Sequence, residues 1–218
     1  GRDLSGANLN GSSLFQADLS GADLREASLQ GAVLGGANLT GTVLVGANMY
    51  KADLQGVDLS QHDLSGTNLA GAMLNHSTLS EKGVRQLLNM DLTGAHLDRV
   101  DMAGWNLADV KLAGASLEGA KLKGSDLSRA DLRGVKMSGI DLTGTVLTGA
   151  LMANAKLGGA DLSGKNLKGA DLRGANLNGA DLTQANLAGV KLDGAKLSNA
   201  DLSGADLSGK NLKGADLS

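Results

Sequence analysis

In 218 residues the chain holds 33 glycines but only three aromatic residues, Phe15, Tyr50 and Trp105, too few for an ordinary globular core. It contains neither proline nor cysteine, which excludes disulfides and thiolate metal sites. Net charge is −3, and no apolar run approaches the roughly 20 residues that span a bilayer.

From Arg2 onward a leucine, or occasionally a methionine, returns every fifth residue. Around each of these centres the order is constant. A small residue, usually Ala, stands two before; Asp or Asn usually stands one before; a polar residue follows; Gly usually comes second after. The first array, residues 1–81, has sixteen centres from Leu4 to Leu79. Eight residues, 82–89, then interrupt the rhythm, and a second array, 90–218, carries twenty-six centres from Leu92 to Leu217. Of the 42 centres 38 are Leu and four are Met, at 49, 102, 137 and 152.

A period of five matches neither the 3.6 of a helix nor the two of a long strand. It predicts one short extended segment and one turn per repeat, with Gly supplying positive φ and Asp or Asn bonding nearby backbone. Each centre then points inward, the chain coils, and successive coils pair at about 4.8 Å. The repeats AlaAspLeuSerGly, AlaAsnLeuAsnGly and AlaAspLeuArgGly resemble the pentapeptide-repeat family, and the resemblance covers 210 of the 218 residues. It implies an all-β fold, a right-handed quadrilateral β-helix with four repeats per coil and about ten coils. Sixteen repeats make four whole coils, so the insert is expected to loop out at a coil boundary and leave the stack undisturbed.

The insert itself has a helical pattern. Thr78 to Glu81 matches a capping box, and Val84, Leu87 and Leu88 form one apolar stripe, predicting two or three turns between Ser80 and Asn89 despite Gly83. That stripe either docks on its own coil or serves as a handle for a partner. Ala fills 24 of the 42 positions two before a centre, as a narrow interior requires. Arg2, His62, Trp105, Ile140, Lys165 and Lys210 break this rule. They read either as local bulges with snorkelling lysine stems or as surface groups re-aimed for function.

Chemistry finds little footing. His62, His76 and His96 have no metal-ligand spacing, no nucleophile elbow occurs, and glycine recurs for the turn and not in a phosphate cradle. No catalytic residue, cofactor, metal or small-molecule substrate is therefore expected. Stacking at a spacing of twenty aligns Asp141, Asp161, Asp181 and Asp201, and beside them Lys136, Lys156 and Lys196, with Asn176 interrupting. These Asp side chains are expected to serve the turns and the Lys column to offset their repulsion.

The same spacing sets Phe15, Val33 and Met73 on one face and places Val43, Val45 and Tyr50 around a neighbouring corner. An apolar strip on a solvated rod suggests an interface; docking of the insert helix would explain it equally. The candidate protein-binding residues are Phe15, Val33, Tyr50, Met73, Val84, Leu87, Leu88 and Trp105.

The resemblance also raises DNA mimicry by gyrase-binding, quinolone-protecting members of the family. A mimic of B-DNA needs about one charge per 1.7 Å. The first array has a net charge of −5, but the second carries fifteen acids and fifteen bases. Nucleic-acid binding is disfavoured by the charge balance and the lack of aromatic platforms. The primary expectation is a non-enzymatic scaffold or spacer with an unknown protein partner, one domain of a longer bacterial protein because the repeats stop mid-repeat at Ser218. Uncapped ends would permit end-to-end stacking. The compartment would be the cytoplasm, or a host cell for a delivered effector. The gyrase-directed mimic is the alternative.

Overall fold

The computed structural model describes residues 1–79 and 91–218. Among them there is no helix, and pairing consists of single-residue parallel bridges. Five residues per side leave only the residue before each centre fully extended between turns. Bridges therefore join residue i to residue i+20, as in Asp3 to Asp23, Val33 to Asp53 and Asp161 to Asp181. Twenty residues are four repeats, so each coil has four sides.

The residue preferences follow from the destinations of the five N–H groups. In repeat 170–174, Ala170 closes a turn by donating to the Leu167 carbonyl at 2.9 Å, and Asp171 donates to Ala150 of the preceding coil at 3.0 Å. Leu172 and Gly174 donate to Lys191 and Asp193 of the following coil, both at 2.9 Å. The remaining N–H, that of Arg173, is accepted by the Asp171 carboxylate at 3.2 Å. Asp or Asn before the centre thus completes backbone satisfaction. Where Ser28 or Ser116 stands there instead, Asn10 or Asp98 of the coil below accepts both the Ser hydroxyl and the N–H two residues on.

The corner residue two after the centre has positive φ, as a type II turn demands. Glycine adopts it without steric penalty, whereas Gln16, Lys51, Arg129 and Asn154 hold it at 55° to 60° as exceptions supported by the surrounding ladder. Inside, the centres and their small neighbours form one continuous apolar core. From Leu24 to Leu197 the described centres are at most 2% exposed, except Leu79, which is partly buried.

The interruption does not behave as a neutral loop. Met73 bridges His96, and Gly71 donates to the Thr93 carbonyl at 2.8 Å, so the step between stacked residues is 23 here. An insert that simply looped out would make it 28, the regular twenty plus the eight inserted. Leu92 consequently stands over Leu69 on the second side and not over Leu64 on the first. The expected helix with Val84, Leu87 and Leu88 lies outside the described residues. With a step of 23, Trp105, Ser125, Thr145 and Lys165 continue the corner column of Arg2, Thr42 and His62.

Some departures from Ala at the inner position accompany a local opening of the ladder. Ile140 is 4% exposed, and next to it Asp141 makes no bridge, although Asp161 above pairs normally with Asp181. Among the described residues no backbone bond links Leu122 to Asp141 or Leu142 to Asp161. A branched side chain where its column neighbours carry Ala120 and Ala160 pushes the coils apart. Lys165 and Lys210 are half-buried and accompany similar gaps below Asn166 and at Asn211. Ile140→Ala is therefore expected to cost much less stability than Leu142→Ala. In hydrogen exchange it should raise protection of the Asp141 and Leu142 amides; unchanged protection would contradict the overpacking account.

Candidate protein interface

On the third side Val33, Asp53, Met73 and His96 form one bridged column. Phe15, 61% exposed, lies over Gly35, where an added Cβ would stand 3.4 Å from the Phe15 ring. The missing side chain gives the ring its seat. Gln55 reaches the Met73 sulfur at 3.7 Å. At the corner between the second and third sides, Tyr50, Lys51, Gly71, Met73, Thr93 and His96 line an open groove of about 660 Å³. The Lys51 ammonium sits 5.1 Å from the centre of the Tyr50 ring, a cation–π distance. Phe15, Val33, Tyr50 and Met73 thus lie on two adjoining sides of the first array.

Trp105 has a different placement from a surface anchor. It is 8% exposed and belongs to the apolar core, its N–H closing the Met102 turn at 3.2 Å. Its burial in the core takes it out of the exposed candidate interface. Lys51 and His96 are groove residues that a reading by repeat phase passes over. His96 reaches Met73 only through the 23-residue step, which residue counting does not reveal. Val146 and Leu151, 43% and 40% exposed on consecutive sides of the second array, form a second apolar spot. Their signal was available: an apolar residue where Asp or Asn is the rule.

The carboxylates are largely spent on the fold. Arg25, Arg133 and Arg173 pair with Asp23, Asp131 and Asp171 across their own centres, while Lys121 and Arg129 pair with Asp101 and Asp109 one coil below. All five cations are more than half exposed, so each pair contributes little alone. Asp141, Asp161, Asp181 and Asp201 each accept the N–H of the residue two further on, at 2.8 to 3.0 Å. The hydroxyls of Thr143, Ser163 and Ser203, followed by those N–H groups, hold Asp141, Asp161 and Asp201 below the usual carboxylate range. The cations that assist Asp141 are Lys123 and Lys165, with Lys165 also acting on Asp161. The expected compensation by Lys136, Lys156 and Lys196 is thus replaced by Lys123 and Lys165, the latter a half-buried corner residue.

Among the described residues no three His, Cys, Asp or Glu side chains converge to hold a metal, and no helix is long and apolar enough to cross a membrane. His62 is buried at the corner column, His76 occupies a turn corner at φ 60°, and His96 faces the groove.

The family model for pentapeptide repeats matches overlapping stretches covering residues 1–81 and 88–218. No curated protein matches the sequence. Among solved structures, HetL of the cyanobacterium Nostoc sp. strain PCC 7120, a pentapeptide repeat protein involved in heterocyst differentiation regulation, is 33% identical. That match covers 99% of this chain and 86% of HetL at a TM-score of 0.33. Rfr23 of the cyanobacterium Cyanothece 51142 is 32% identical over 50% of this chain and 65% of its own, with a TM-score of 0.37. QnrB1, a plasmid-mediated fluoroquinolone resistance protein, is 17% identical over 97% of this chain and 91% of its own, with a TM-score of 0.46. With its five-residue period matched on both sides of the interruption, the chain belongs to the pentapeptide-repeat family, whose repeats stack as a right-handed β-helix.

Proposed function

We propose that the chain is a non-enzymatic rigid scaffold, a stack of about ten coils that presents one corner of its first array to a protein partner. The observation carrying this reading is that exposed Phe15 and Val33 share the third side with Met73 and His96 of the groove, with Asp53 between Val33 and Met73. These side chains sit on a backbone tied to its neighbours at nearly every repeat, so little ordering entropy opposes binding. Phe15→Ser combined with Met73→Ser should abolish enrichment of a specific partner from the source cell, measured by quantitative proteomics. The far-UV spectrum should stay unchanged, and Val146→Ser should have no effect. Equal enrichment by the double variant would remove this corner from consideration.

The alternative, a topoisomerase inhibitor acting as a DNA mimic, has one observation in its favour: the Asp141, Asp161, Asp181 and Asp201 column. Five ion pairs and interleaved lysines weigh against a continuous negative face. Inhibition of gyrase supercoiling at low protein concentration would reverse this preference.

A further inference from the structure

The second side of the second array carries a charge pattern of its own. One bridged column runs Lys111, Asp131, Leu151, Asp171, Lys191. Two residues on, across the same centres, stand Ala113, Arg133, Ala153, Arg173 and Asp193, so the face is a stack of two-residue rows. Three rows hold opposite charges: Asp131 with Arg133, Asp171 with Arg173, and Lys191 with Asp193. Leu151 with Ala153 makes an apolar row among them, and Leu151 is 40% exposed. Elsewhere, among the described residues, only Asp23 with Arg25 forms an oppositely charged row.

Such rows are self-complementary in one geometry. A twofold axis parallel to the rod, passing over the leucine centres of this side, exchanges the two columns at every level. Each charge then faces its opposite in a second copy, and Leu151 faces Ala153. A twofold axis across the rod at Leu151 would instead oppose Asp131 with Asp171 and Lys111 with Lys191, like against like. Arg133 and Arg173 hold their own carboxylates through Nε and Nη2, so Nη1 takes no part in those pairs. Both arginines are more than half exposed, whereas Asp171 is nearly covered. Among the described residues neither Lys191 nor Asp193 makes an ion pair. The rows of Asp131 and Lys191 therefore carry most of the attraction.

We propose that this face pairs with the same face of a second copy, giving a parallel, side-by-side dimer of rods. The strip is about 20 Å long at about 4.8 Å per coil, which puts the contact at the low end of specific interfaces and makes the dimer reversible. Phe15 and Met73 lie on the third side and take no part, so the variant with both changed to Ser should dimerise like the parent.

Sedimentation equilibrium of the full chain at low ionic strength should show monomer and dimer, with salt favouring monomer. Lys191→Asp makes that row acidic in both copies and should weaken association about tenfold or more; adding Asp193→Lys restores opposite charges and should recover it. Arg133→Glu with Arg173→Glu should dimerise more weakly alone. So should Asp131→Asn with Asp171→Asn, which keeps the turn acceptors. Mixed, these two variants should form a heterodimer, a recovery that also shows both fold.

The chain has no cysteine, so a spin label on Ser5→Cys is unique. Parallel pairing keeps the two labels at one level, whereas antiparallel pairing about Leu151 would separate them by about 70 Å along the axis. A monomer at every concentration would overturn the assignment, as would the long label distance. Association indifferent to Lys191→Asp would also overturn it and would place the contact at the rod ends.

Discussion

Leu132→Ala is expected to destabilise the rod by roughly 3 to 5 kcal/mol, the range for truncating a fully buried leucine whose site cannot collapse. Leu132 has no exposed surface, and its coil is fixed from both sides, by Lys111 pairing with Asp131 and Asp131 with Leu151. The backbone cannot move inward to fill the void without breaking these bridges. In a stack where each coil touches only its neighbours, a mid-rod void weakens two interfaces at once. Thermal unfolding should therefore separate into two transitions where the parent shows one. Leu212→Ala, in a half-buried terminal coil, should cost far less and leave the transition single. Equal losses at both positions would show that the core is not cooperative along the axis.

The period, the inward leucines and the turn glycines are legible in the sequence because each repeat states the same local requirement. The role of Asp before the centre is nearly legible too: a carboxylate can reach the N–H two residues on without any tertiary context. Register across the interruption is different. Eight extra residues do not reveal whether they loop out or replace one side of a coil, and only the pairing of Met73 with His96 gives the step of 23. The surface map beyond that point depends on it, so the association of His96 with Tyr50 was hidden. His62, Ile140 and Trp105 announce themselves by breaking the Ala rule. Their fates then diverge by what each finds inside. His62 meets a carbonyl below, Ile140 meets alanines on both sides, and Trp105 joins the core.

Replacing Asp141, Asp161 and Asp201 together by Asn is expected to flatten the acid limb of the stability profile. Hydrogen bonds from Thr143, Ser163 and Ser203 lower the folded-state pKa of these three carboxyls below their unfolded value. A depressed carboxyl contributes stability that is complete above the unfolded pKa, about 3.9. The contribution is lost as pH falls through the lower folded value, because the unfolded chain then binds more protons. Chemical unfolding followed from neutral pH downward should show the parent losing stability below about pH 4. The triple variant should lose less over that interval. Asparagine retains the accepting oxygen, as Asn166, Asn176 and Asn186 show by holding the N–H groups of Lys168, Asn178 and Ala188. The variant should therefore keep its fold at neutral pH, where removal of the Asp141–Asp161 repulsion works in its favour. The matching Ala variant lacks the acceptor and should be less stable at every pH. If Asn and Ala variants behave alike, these side chains do not cap the turns.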